Sequence, residues 1–185
     1  RRITSQVLLQ TQCLEERNFS WFLSQVEKKD CPEKFKKILI LDQVTDIHNL
    51  AAISRTAAFF GVGAILYSMG SGISKTPAFF RMASGACEHV EFINCNALHK
   101  IALKLQSLED KFTCIGLSEK NSKDVNEQVA ALKGRPLCLV MGAEDKGISN
   151  ALQRNLDFLV ALEASGPIDT LNVSVASALA MKEFF

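Results

Sequence analysis

The chain has almost no excess of charge: 21 Lys and Arg stand against 20 Asp and Glu, a formal net charge of +1 over 185 residues. No global basic field therefore announces nucleic acid, and any such contact has to come from a local patch. Long hydrophobic runs are also missing; the longest are too short and too interrupted for a membrane span. No signal-peptide layout opens the chain, which starts on Arg1 rather than Met and so reads as a trimmed product. The six cysteines (Cys13, Cys31, Cys87, Cys95, Cys114 and Cys138) include no Cys-x-x-Cys and no Cys/His pairing at metal-ligand spacing. Most fall in apolar runs, where a reduced thiol acts as a small hydrophobe. Structural zinc is excluded on that pattern, and a reducing compartment is indicated, the cytoplasm or an organelle matrix.

Nucleotide and hydrolase signatures are absent too. No Gly-x-Gly-x-x-Gly follows a strand, no Gly-x-x-x-x-Gly-Lys-Ser/Thr occurs, and no Gly-x-Ser-x-Gly elbow is found. Gly70-Ser71-Gly72 is too short for either nucleotide motif and reads as a turn. Dehydrogenase, P-loop NTPase and serine-hydrolase chemistry are thereby disfavoured.

What remains is a globular composition, 48% apolar and 22% charged, with a regular pattern from Lys37 onward. Arg17 to Lys29 predicts a helix with Trp21, Phe22 and Val26 on one side, and Lys28 to Lys34 a polar linker. Residues 1–37 are thus expected to be an N-terminal extension or linker, and 38–185 the main domain. Ile38–Leu41 is a short, fully apolar strand, the mark of a sheet covered on both faces. Asn49 to Phe60 predicts a helix closed by Gly61, and Gly63–Tyr67 the next strand. Thr76-Pro77 supplies a cap and a proline at the first helical position. Val90–Ile93 predicts a strand, and Leu98, Ile101, Ala102, Leu105 and Leu108 line one face of a helix. Phe112–Leu117 predicts a strand, and Val125, Val129 and Leu132 a helix. Leu137–Met141 is a strand, Ser149–Asn155 a short helix, Phe158–Leu162 a last strand and Asn172–Phe185 a closing helix. This alternation argues an α/β fold with a mostly parallel, doubly wound sheet and helices on both faces.

Three polar clusters stand where strands give way to helices, the place where α/β proteins build binding sites. In the first, Asn49 reads either as a helix cap or as a site residue, and Arg55 follows among alanines; His48 is the only histidine near a site. In the second, Gly142 and Gly147 permit close backbone approach around Glu144, which is either a ligand-facing group or an acidic surface turn. In the third, Gly166-Pro167 leads to Thr170, Asn172 and Ser174 at the start of an otherwise apolar helix. A cap explains Thr170 but not the other two.

At these residues the chain resembles the SpoU/TrmH-type RNA ribose 2′-O-methyltransferases of the SPOUT superfamily. Leu41-Asp42-Gln43-Val44-Thr45-Asp46-Ile47-His48-Asn49-Leu50 with Arg55-Thr56-Ala57 resembles the first family motif. Leu139 to Ile148 resembles the second, and Leu171-Asn172-Val173-Ser174-Val175-Ala176 the third. The opening wording, with Ala83-Ser84-Gly85-Ala86, is most similar to the branch acting on a guanosine ribose of 23S-type rRNA. The resemblance implies a C-terminal trefoil knot, a catalytic domain over 38–185, S-adenosylmethionine as cofactor and a homodimer, with no metal and no membrane association. Its alternatives are a tRNA 2′-O-methyltransferase or a non-catalytic RNA-binding relative. Members of that 23S-type branch carry a small N-terminal RNA-binding domain; residues 1–37 are too short for it, so it would be either cut away, with this segment its remnant, or absent. Asn49, Arg55, Glu144, Thr170 and Asn172 would be catalytic, with Asn49 and Glu144 fixing Arg55. Met141, Gly142, Ala143, Gly147, Leu162, Leu171, Asn172 and Ser174 would hold the cofactor. Ala51, Asp145 and Glu163 depart from commoner family residues in the cofactor loops, and Thr170 keeps a hydroxyl where Ser is usual. Local cations such as Lys75, Arg81 and Arg154 would meet RNA.

Overall fold

An apolar run such as Ile38–Leu41 is stable only if both of its faces are covered, and the computed structural model places it at the centre of a seven-stranded sheet. Residues 17–28, 31–68, 76–118, 132, 134–162 and 164–185 are described. The strands are β1 (Arg17–Asn18), β2 (Lys37–Asp42), β3 (Ala64–Ser68), β4 (Glu91–Cys95), β5 (Thr113–Leu117), β6 (Leu137–Gly142) and β7 (Phe158–Val160). The helices are α1 (Phe19–Val26), α2 (Ile47–Phe59), α3 (Pro77–Ala83), α4 (Leu98–Gln106), α5 (Asn150–Gln153) and α6 (Val173–Phe184). Sheet order is β1-β4-β3-β2-β6-β5-β7, and every pairing is parallel.

Because side chains alternate along a strand, β2 feeds two cores. Leu39 and Leu41 join α2, α3 and α6 on one face. Ile38 and Ile40 join α1, α4 and α5 on the other. The helical face predicted for α4 is the buried one, with Leu98, Ile101, Ala102, Leu105 and Leu108 all inside. Thr76 caps α3, accepting from the Phe79 N–H at 3.2 Å, with Pro77 at its first turn. Gly61 follows α2 with a φ of 72°, which a side chain would strain.

Several boundaries differ from expectation for local reasons. The helix predicted from Arg17 starts at Phe19, because the Asn18 side chain accepts from the Trp21 N–H at 2.8 Å and caps it there. Arg17 and Asn18 extend the sheet instead, opposite Ile93 and Asn94. Phe22 and Val26 of α1 and Phe35 of the following 3-10 turn (Glu33–Lys36) are buried in the second core, so the described part of the 1–37 segment shares that core. Helix α2 begins two residues before Asn49, capped by Asp46, whose carboxylate accepts from the His48 N–H at 2.8 Å. The last helix starts at Val173 rather than Asn172, and the last strand ends at Val160. The helix expected around Val125 and Val129, together with Gly70-Ser71-Gly72, Lys75, Cys13 and Glu163, lies outside the described residues.

The order β3-β2-β6 positions the site. From β2 the chain winds outward to β3 and β4, then continues on the other side with β5, β6 and β7. β2 and β6 are therefore neighbours at the point where winding reverses, and it is beyond the carboxyl ends of such strands that open α/β sheets bind ligands. After β7, at the far edge, the chain returns so that α6 packs on both α2 and β6. Val173, Ala180 and Met181 of α6 enter the first core.

Candidate active site

β2 and β6 end in register, Asp42 opposite Gly142. Beyond Gly142 the chain folds into a tight turn: the Gly147 N–H donates to the Ala143 carbonyl at 2.8 Å, and the Ala143 N–H to Gly147 at 3.2 Å. A Cβ on Gly142 would overlap the Gly147 backbone, and Gly147 itself has a φ of 64°. Those two glycines close the turn, and Glu144 is held within it.

Glu144 is the centre of a network from three distant segments. Its Oε1 accepts from Asn49 Nδ2 at 3.2 Å, from Asn172 Nδ2 at 2.6 Å and from the Val173 N–H at 3.3 Å. Asn172 Nδ2 also donates to Asn49 Oδ1 at 3.0 Å. Asn172 Oδ1 accepts from the Ser174 N–H at 2.9 Å and from Ser174 Oγ at 2.5 Å. Asn172 is thus the N-cap of α6 and a member of the network at once. Thr170, expected to cap that helix, precedes it and is exposed. Asn49 was open as a cap, but Asp46 takes that role and leaves the Asn49 amide, 8% exposed, for Glu144. Oε2 accepts no hydrogen bond among the described residues, and Glu144 is an exposed residue.

Arg55 is placed differently from expectation. It makes no hydrogen bond or ion pair with Asn49, Glu144 or any other described residue. Six helical residues rotate it about 120° from Asn49 around the α2 axis. It joins His48, Ala52 and Phe59 on the exposed stripe of that helix. Its guanidinium remains permanently charged and open to an anion.

The remaining predicted residues lie at the end of β6, in the segments that follow β6 and β7, and at the start of α6. Met141 is buried in the first core, so only its backbone can serve a ligand. Gly142, Ala143 and Leu162 are half-buried, and Leu171 is 49% exposed despite being apolar. Among the described residues, those from Ala164 to Asn172 donate no backbone–backbone hydrogen bond. These segments thus combine main-chain N–H groups without a backbone acceptor among the described residues, an exposed leucine and a turn in which Gly142 leaves no room for a side chain. That donor set fits a flat, hydrogen-bonding ring system with an apolar surface. Ser174 is half-buried and already bonded to Asn172.

Sequence reasoning assigned no role to Asp42. Its carboxylate is 5% exposed and Oδ2 accepts from the Ser149 N–H at 2.7 Å. The available signal was an acidic residue directly after an unbroken apolar strand.

The model of the SpoU rRNA Methylase family matches residues 36–182. The chain belongs to that family. A Staphylococcus saprophyticus protein named for the TrmH family of tRNA/rRNA methyltransferases is 31% identical over 172 residues, 92% of this chain and 66% of its own. The 23S rRNA (guanosine-2′-O-)-methyltransferase RlmB of Pseudomonas putida is 35% identical over 147 residues, 79% of this chain and 57% of its own. This SpoU family chain therefore spans less than two thirds of those relatives' lengths. The SpoU methyltransferase AviRb of Streptomyces viridochromogenes, solved with AdoMet, superposes with a TM-score of 0.71 at 18% identity over 87% of this chain and 59% of its own. That likeness shows the shared fold.

Proposed function

We propose that this protein transfers a methyl group from S-adenosylmethionine to a ribose 2′-hydroxyl of structured RNA, a guanosine of 23S-type rRNA. The observation that carries the reading is the meeting of Asn49, Glu144 and Asn172, from three segments, beyond the carboxyl ends of β2 and β6. Their bonding explains why three polar clusters far apart in sequence occur together in a SpoU family chain. A tRNA ribose is the second reading, supported by the TrmH-type relative.

S-adenosylmethionine, when bound, supplies an electrophilic sulfonium methyl with a good leaving group. The protein's tasks are alignment and removal of a weakly acidic proton. The backbone of Met141, Gly142, Ala143 and Gly147, with Leu162 and Leu171, would hold the adenosyl portion. Glu144 keeps Asn49 and Asn172 in place through Oε1, which leaves Oε2 to face ligand. Ser174 locks the Asn172 rotamer, and Thr170 offers a hydroxyl at the rim. Arg55, charged and exposed, would grip the phosphate beside the target ribose and stabilise the alkoxide as charge develops. The 2′-proton passes to that phosphate or to water, since a guanidinium has no lone pair to accept it.

We further propose that the return from β7 to α6 is threaded as a trefoil knot and that the protein acts as a homodimer in the cytoplasm. Exposed Phe59 on α2, Val175 and Leu179 along α6 and Leu171 just before it support the dimer, the two helices being packed together. Arg81 and Arg154, both exposed, are candidate RNA contacts.

Arg55→Ala is expected to bind S-adenosylmethionine by calorimetry yet fail to label an unmodified 23S-type transcript. Full transfer by that variant removes Arg55 from the chemistry. An all-DNA version of the substrate should be inert, having no 2′-hydroxyl. Mapping ribose methylation in rRNA and tRNA from cells with and without the protein decides between the two substrates.

A further inference from the structure

We propose that Asp42 is a positioning residue for this site: it pins both ends of the loop that carries Glu144. The inference deepens the methyltransfer reading and rests on it. Asp42 ends β2, and its backbone lies opposite Gly142, where the loop leaves the sheet. Its side chain accepts from the Ser149 N–H, where the same loop enters α5. One residue thus holds the loop's exit through the ladder and its return through a carboxylate.

Between those anchors the loop has little freedom. The Ala143–Gly147 pair closes the turn, and Ile148 is buried in the second core. Glu144 is the group presented by the clamped turn, and it accepts from Asn49, Asn172 and Val173 together. A shift of the turn moves all three bonds at once.

The chemistry of Asp42 suits the task better than an apolar residue would. At 5% exposure a carboxylate is costly to bury unless it is hydrogen-bonded, so holding Ser149 gives it a reason to be there. Gln43 follows with a φ of 59°, a left-handed bend that ends β2 where the carboxylate meets its donor. Non-glycine residues in that region concentrate where function fixes geometry.

The test uses three variants of the full chain. Asp42→Asn keeps an acceptor oxygen and Asp42→Ala removes it. Ser149→Pro removes the donor from the other side, at a φ of −59° that suits the ring. Methyl transfer to an unmodified 23S-type transcript, calorimetric binding of S-adenosylmethionine, thermal unfolding and amide exchange at Gly147 are measured on each. Asp42→Asn should stay within about threefold of wild-type kcat/KM, whereas Asp42→Ala and Ser149→Pro should each lose about a hundredfold. The double variant should lose no more than either single one, because both remove the same bond. Exchange at Gly147 should accelerate in Asp42→Ala at temperatures where the protein stays folded.

Wild-type transfer and binding by Asp42→Ala overturn the proposal. So does a loss that merely follows the unfolded fraction, with KM for S-adenosylmethionine unchanged in the folded remainder. If the wild type itself neither binds S-adenosylmethionine nor methylates RNA, the function reading fails instead. Gly147 exchange then decides Asp42 alone: acceleration supports the clamp, and an unchanged rate ends it.

Discussion

Glu144 Oε1, with three donors from two other segments, shows how much of this site rests on single atoms. Asn172→Ala removes a helix cap and two network bonds together. It should cost about 1 kcal/mol in urea unfolding while reducing methyl transfer far more than that stability loss explains. Gln43, exposed at a φ of 59°, should gain from Gly and suffer from Val. Gln43→Gly is expected to raise the unfolding free energy by up to about 1 kcal/mol, and Gln43→Val to lower it by at least as much. Burial pushes the Cys95 thiol from 9.0 up to about 12. The unfolded chain then releases that proton first, so this contribution to stability is intact below pH 9 and fades as pH climbs toward 12. Urea midpoints measured from pH 8 upward should decline, and Cys95→Ala should flatten part of the slope. Several of these residues could be picked out from sequence as polar groups in an apolar setting. Their partners could not, because a hydrogen bond between residues 95 or 123 positions apart leaves no local trace.

Among elements, α6 is the most informative. Its apolar character marks it as a buried helix, and Val173, Ala180 and Met181 do line the first core. Met181→Ala should cost about 2–5 kcal/mol by chemical denaturation, since it opens a cavity between α6 and the sheet. The element types at the centre of the chain followed from apolar periodicity and capping residues, as at Thr76-Pro77. Ends were less legible. Asp46 and Asn49 are both good caps by composition, and Thr170 and Asn172 equally so. The structure chose Asp46 and Asn172, since tertiary bonds claim the Asn49 amide and hold Asn172 at the entry to α6. The pairing of Arg17 and Asn18 with β4 was hidden because so short a strand carries no periodicity.

On the scale of the whole molecule, the parallel sheet and its reversal at β2 and β6 put the Asn49–Glu144–Asn172 network where ligands of such folds bind. S-adenosylmethionine at a hundred times its Kd should raise stability by about 2.7 kcal/mol, read as an upward shift in unfolding midpoint. Replacing Val175 and Leu179 by Glu should turn the proposed dimer into monomers by sedimentation, because their apolar faces are exposed in the single chain. A wild type that sediments as a monomer at every concentration would remove the proposed dimer.

The sequence alone determined that this chain builds an α/β sheet covered on both faces, and that its polar groups gather after strands. Both follow from local rules, since an apolar run must be buried and a helix start needs acceptors for its free N–H groups. Only the tertiary structure decided that Asn49, Glu144 and Asn172 share hydrogen bonds, that Arg55 is bonded to none of them, and that Asp42 reaches Ser149. Those relations depend on which strands become neighbours and where the last helix returns. They are set by the packing of the entire chain rather than by any stretch of it.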